Sequence, residues 1–123
     1  MNAIEVKNVT KKYQDFVLDD ISFSLPSGTV LGLVGENGAG KSTTIHLIMN
    51  AIQGDSGSIS VLGTDNRDKD FIRTKEDIGV VLDEAYFPEV ITPKNVNTMM
   101  KNTYQNWDEA CYFEYLSKFN LPE

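Results

Sequence analysis

Residues 29–43 read TVLGLVGENGAGKST. Thr29 to Val34 form a short apolar, β-rich run ending at Gly35, the pattern of a buried parallel strand. Gly35 to Thr43 then satisfy G-x-x-x-x-G-K-[ST]. Gly35, Gly38 and Gly40 let the backbone turn tightly and approach an anion with no Cβ in the way. Successive backbone N–H groups would point inward as a nest, and a following helix would present its positive N-terminal end. Lys41 is placed to contact the β- and γ-phosphates, in the ground state and the transition state, and the Ser42 hydroxyl to complete the coordination of Mg²⁺. The candidate triphosphate site is therefore Gly35, Glu36, Asn37, Gly38, Ala39, Gly40, Lys41, Ser42 and Thr43, with a nucleotide and Mg²⁺ as its expected ligands.

The flanks suit that reading. After the loop, Ile45, Ile48, Met49 and Ile52 fall at i, i+3, i+4 and i+7, an apolar helical stripe. Gly54 is placed to end the helix as a left-handed cap. Strand, glycine loop and helix are the context the motif requires. Upstream, residues 2–9 alternate apolar and polar, with Ile4, Val6 and, after a slip, Val9 on one side. Val17 to Leu25 is a second strand, closed by a Pro26–Gly28 turn. Ser58 to Leu62 is a third, and the charged stretch 65–77 is a loop with a short helix near Asp70 to Lys75. The run IGVVL, residues 78–82, reads as another buried strand. These elements predict an α/β fold in which an antiparallel N-terminal layer leans on a parallel core.

Past Asp83 the composition changes, and a soft boundary falls near residues 84–92. Pro93 to Tyr104 is a helix with Thr92 as its N-cap. Asp108 to Phe119 is another, with Cys111, Tyr112, Tyr115, Leu116 and Phe119 on one apolar face. Cys111 reads as a packed thiol, Trp107 as a packing anchor and His46 as a helix-surface residue. The bulk numbers bound the function. The 123 residues carry a net charge of −7 with no basic run beyond Lys11-Lys12, which argues against nucleic acid as a partner. One cysteine excludes an internal disulfide and fits a reducing compartment. The N-terminus lacks the basic and apolar regions of a signal peptide, and no apolar run approaches the ~20 residues that span a bilayer.

In order and spacing, KYQDFVLDDISFSLPSG, GLVGENGAGKST, GDSGSISVLGTD, IGVVLDE and ITPKNV resemble the ATP-binding subunit of an ABC transporter. The segments YQDFVLDDISF and NWDEACYFEYLSKFNLP are similar to the bacterial multidrug or antibiotic-export branch. The resemblance implies a P-loop NTPase core, with residues 1–83 its N-terminal part. Residues 84–123 would be the Q-loop region and the beginning of an α-helical subdomain. It places Tyr13 at the aromatic position that stacks on adenine, where a flat π-face covers a flat base at ~1–3 kcal/mol; covering the edge of the sheet is the plainer role. Val17 lines the same pocket or packs in the core. The family's Q-loop glutamine is replaced by Asp83, a harder and charged Mg²⁺ ligand, or else part of a solvated acidic turn. Tyr86, Phe87, Pro88 and Val90 are either folded inward or reserved for a groove in which a membrane subunit docks.

The family's signature sequence and the strand that ends in its catalytic Glu are not found in this sequence; IGVVLDE mimics the latter at Q-loop spacing. The resemblance thus implies the N-terminal portion of an ATPase of ~200–300 residues. Such a portion would bind Mg-ATP with negligible turnover, because a water-orienting base is needed for hydrolysis. The expected partners are a transmembrane permease subunit and a second nucleotide-binding subunit in a head-to-tail ATP sandwich. The expected location is cytoplasmic, peripheral on the inner face of the cell membrane. Two alternatives stand beside transport: a non-transport ABC-type ATPase of DNA repair or translation, and a P-loop small-molecule kinase. If Asp83 binds the metal, nucleotide affinity depends steeply on Mg²⁺ and Asp83→Gln shifts that titration; superimposable curves for the two proteins remove the role.

Overall fold

The computed structural model describes residues 1–35, 40–81 and 87–123. Alternation at the N-terminus produces two long strands, β1 (Asn2–Lys12) and β2 (Val17–Pro26), paired antiparallel. Ile4 faces Leu25, Val6 faces Phe23 and Val9 faces Ile21. The register shifts between Val6 and Val9, where the alternation of the sequence slips. Asn8 (φ 51°) and Asp20 (φ 47°) adopt left-handed backbone at this bulge, which short polar side chains tolerate because they can bond locally. Asn8 Nδ2 donates to Asp20 Oδ1 at 2.8 Å, Asn8 N–H to Ser22 Oγ at 2.8 Å, and Asp20 N–H to Thr10 Oγ1 at 3.0 Å. The extra residue returns Val9 to the buried face beside Val6.

Strand β3 (Ser56–Val61) pairs antiparallel with the other edge of β1, Val6 facing Ile59, and turns through Leu62-Gly63 into the short β4 (Thr64–Asp65). The sheet order is β2-β1-β3-β4. Gly57 (φ 87°) crosses so close to the bulge that a Cβ there would lie 2.3 Å from Asn8 O. Helix α1 (Lys41–Ile48) buries Leu47, and α2 (Phe71–Lys75) buries Phe71. With Val6, Val9, Leu18, Ile59 and Val61 these form the core of one compact unit, Met1–Asp77. Asn66, also buried, donates through Nδ2 to Leu47 O at 2.7 Å, which also accepts from Asn50 N–H, and to Ile48 O at 3.2 Å, one of the last carbonyls of α1.

Several expectations about α1 and the apolar runs need correction. Helix α1 ends at Ile48, and its left-handed residue is Asn50 (φ 57°), not Gly54. The buried face of α1 is Thr44 and Leu47, whereas Ile45 is exposed and Ile48, Met49 and Ile52 are only half-buried. Thr44, although polar, sits on the buried side with its hydroxyl satisfied inside the helix, Oγ1 donating to Gly40 O at 2.8 Å. The run Thr29–Gly35 belongs to no strand, with Val30 97% and Val34 94% exposed. Ile78–Val81 is likewise outside any strand, with Val81 98% exposed, and Leu82 lies outside the described residues. Apolar, β-branched composition makes a run fit for a buried strand, but a strand exists only through ladder bonds to a neighbour. No described segment pairs with either run. The sheet seen is therefore wholly antiparallel.

The second unit, Ile78–Glu123, holds α3 (Pro93–Thr103) and α4 (Glu109–Lys118). Thr92 caps α3 reciprocally with Asn95, and the Asp108 carboxylate caps α4 by accepting from Cys111 N–H at 2.9 Å. Trp107 anchors the pair: its Nε1–H donates to the buried Asn97 Oδ1 at 2.8 Å and its ring tilts on Tyr112 at 5.4 Å. The Tyr112 hydroxyl donates to Pro93 O at 2.7 Å. Of the apolar face expected for α4, Leu116 alone is buried, while Tyr115 and Phe119 stack on each other, exposed. Among the described residues no helix is long and apolar enough to cross a membrane.

The Gly57 crossing yields a stability test. Gly57→Ala should lose about 2 kcal/mol or more, left-handed strain plus a backbone clash. Gly28→Ala, at φ 76° with open space around it, should lose only ~1 kcal/mol. Urea unfolding of both variants checks the difference, and equal losses would mean that β3 does not press on the bulge.

Candidate functional site

The site is built where β2 and α1 meet. Gly40 is the N-cap of α1, left-handed at φ 99° and buried. A Cβ on Gly40 would stand 2.9 Å from Leu18 Cδ1 and 3.0 Å from Phe16 Cζ. Only glycine fits both the backbone conformation and the space. Among the described residues no side chain caps this helix, and its first turn holds no acidic residue. A helix start of this kind can meet an anion with its leading N–H groups and its positive end. Lys41 Nζ donates to Gly35 O at 2.6 Å, so the side chain ties together the two ends of the glycine loop. Ser42 is exposed in the first turn and Thr43 is half-buried. Glu36, Asn37, Gly38 and Ala39 lie outside the described residues, as do Asp83 and Tyr86.

The aromatic candidate sits at the end of the β1–β2 hairpin. Tyr13 N–H donates to Phe16 O at 2.7 Å, closing a tight turn. The Tyr13 ring is 44% exposed, with Lys11 Nζ 5.5 Å from its centroid. Val17, opposite Lys12 in the ladder, is half-exposed beside it. Phe16 joins the two halves of the site. Its carbonyl holds the Tyr13 turn, and its ring is one of the two side chains against Gly40. The hairpin carrying Tyr13 and Val17 is thereby seated on the residue that opens α1.

The roles of Phe16 and Leu18 escape a reading based on periodicity. Their signal in the sequence is an aromatic residue within a polar turn, QDF, followed at once by strand. Phe87, Pro88 and Val90 are exposed in the second unit, where Ile91 N–H donates to Pro88 O at 3.0 Å. The arrangement around Gly40 suits capture of a polyanion that carries a flat apolar group, with nitrogen donors at one end and an aromatic face at the other.

Comparison with known proteins gives a consistent answer. The model of the ABC transporter family matches residues 18–123. An uncharacterized ABC transporter ATP-binding protein of Methanocaldococcus jannaschii is 47% identical over 64 residues, 51% of this chain and 12% of its own length. The energy-dependent translational throttle protein EttA of Haemophilus influenzae is 51% identical over 60 residues, 48% of this chain and 11% of its own. Among solved structures, an ATP-binding subunit of an ABC transporter superposes with a TM-score of 0.74 at 26% identity, covering 86% of this chain and 44% of that one. The chain thus spans less than half the length of each of these proteins.

Close packing at Gly40 predicts that Gly40→Ala weakens binding of inorganic tripolyphosphate by about tenfold or more, equivalent to ~1.4 kcal/mol. Isothermal calorimetry measures it, with circular dichroism confirming an intact fold. Unchanged affinity in a folded variant would separate the glycine from the anion.

Proposed function

The chain belongs to the ABC transporter family, and from that premise we propose that it binds Mg-ATP as the nucleotide-binding part of a transport ATPase. Family membership sets aside the small-molecule kinase. The observation that carries the proposal is the seat of the Tyr13 hairpin on Gly40. It joins an aromatic face to an uncapped helix N-terminus within one compact unit, the pairing that a nucleoside triphosphate needs.

In this reading residues 35–43 cradle the triphosphate. Lys41 exchanges the Gly35 carbonyl for the β- and γ-phosphates, which it binds as a charge-assisted donor. Mg²⁺ would neutralise phosphate charge and orient its oxygens, held on the protein side by the Ser42 hydroxyl and, in this proposal, by Asp83. Tyr13 stacks on adenine with Val17 beside it. Residues 1–83 serve as the N-terminal part of the nucleotide-binding core, and residues 84–123 as the Q-loop region and the start of the helical subdomain.

Members of the family hydrolyse ATP. The signature sequence and the strand ending in the catalytic Glu do not occur in these 123 residues, so we expect binding by this chain alone without steady turnover. Coupling to a transmembrane permease, pairing with a second nucleotide-binding subunit and a peripheral place on the inner membrane face complete the proposal. A second reading, a non-transport ATPase acting in translation, draws on the likeness to the throttle protein.

Calorimetry with Mg-ATP tests the proposal. Lys41→Ala should weaken binding roughly 10- to 100-fold, the worth of one hydrogen bond to a charged group. No heat with the unaltered chain would end the reading; steady ATP turnover abolished by Lys41→Ala would overturn the binding-only expectation.

A further inference from the structure

Strand β1 is paired on both edges only as far as Thr10. Its ladder with β3 ends at Thr10 opposite Ser56, whereas its ladder with β2 continues to Lys12 opposite Val17. The last two residues before Tyr13 therefore have a free inner edge as far as strands are concerned. Asp55, the residue before β3, fills that place. Its N–H donates to Thr10 O at 2.8 Å, carrying the backbone pairing one step past Ser56. One carboxylate oxygen, Oδ2, then accepts from Lys12 N–H at 2.7 Å, across 43 residues of sequence. The other, Oδ1, lies 3.9 Å from Lys11 Nζ. That same ammonium group stands over the Tyr13 ring at 5.5 Å from its centroid, close enough for a cation–π attraction.

We propose that Asp55 is a positioning residue for base recognition, clamping Lys12 through its backbone and Tyr13 through Lys11 so that the ring is held ready for the nucleobase. The inference deepens the nucleotide-binding proposal and rests on its claim that Tyr13 stacks on the base. The clamp exploits a difference in cost. The Lys11 side chain is only 22% exposed, so the cation–π contact is partly shielded from water, whereas the Asp55 side chain is 47% exposed and its ion pair is screened. The hydrogen bond to the Lys12 N–H is the firmer element, because an ionised acceptor strengthens it. Lys11 covers the ring on one side, so a base would take the other.

The clamp predicts an effect confined to the base. Binding of Mg-ATP and of Mg-tripolyphosphate is measured for the unaltered chain, Asp55→Ala, Tyr13→Ala and the double variant. Asp55→Ala should weaken ATP about threefold to tenfold, leave tripolyphosphate unchanged and add little to the loss caused by Tyr13→Ala. Asp55→Asn, which keeps a neutral acceptor for the Lys12 N–H but loses the ion pair with Lys11, should recover only part of the ATP affinity. Independent, multiplying losses would overturn the clamp, as would equal weakening of tripolyphosphate, which would mark a general loosening. If Tyr13→Ala leaves ATP binding intact, the stacking reading itself fails and takes the clamp with it. If Tyr13→Ala is damaging and Asp55→Ala is harmless, only the clamp fails.

Discussion

The absence of one Cβ governs the site. Gly40 is the point at which the chain leaves the glycine loop and becomes a helix, and it does so in left-handed backbone pressed against Phe16 and Leu18. Any larger residue would push β2 away from α1, separating the aromatic turn from the helix end. The bulge at Asn8 and Asp20, which keeps Val6 and Val9 on one buried face, holds the sheet against which Leu47 packs. The Asn66 amide closes the far end of the same helix. Both ends of α1 are thus tied to the antiparallel layer, by apolar packing at the start and by hydrogen bonds at the finish.

Electrostatics decides how such a site can hold an anion on an acidic chain. A net charge of −7 repels a polyphosphate at long range, but that repulsion is screened beyond ~8–10 Å in physiological salt. In the proposed site each hydrogen bond to a charged group would contribute ~1.5–3 kcal/mol, enough for the leading N–H groups of α1 and the Lys41 ammonium to outweigh the residual field. The absence of an acidic residue from the first turn of α1 matters for the same reason, since a carboxylate there would compete for the same donors.

Much of this was legible in the chain, and the failures share a cause. The slip between Val6 and Val9 announces the bulge, since a period-two pattern cannot change phase without an extra residue. Thr92-Pro93 announces the start of α3. Each of these signals is local. The runs 29–34 and 78–81 form no strand because apolar composition reports what a segment is suited to bury, while pairing depends on segments distant in sequence. The stripe through Ile45 is a poor guide because periodicity does not count Thr44, which α1 buries beside Leu47 with its hydroxyl bonded to Gly40 O. The reach of Asp55 to Lys12 was hidden because a Gly-Asp-Ser-Gly turn gives no hint of what its carboxylate meets 43 residues upstream.

In the function proposed, the amides opening α1 form a triphosphate seat next to an aromatic face. Amide chemical shifts followed by nitrogen-15 NMR during addition of Mg-ATP test it most directly. The largest changes are expected at Gly40, Lys41, Ser42 and Thr43, with Tyr13 changing for ATP and not for inorganic tripolyphosphate. Shifts scattered elsewhere in the chain, or none at saturating nucleotide, would contradict it.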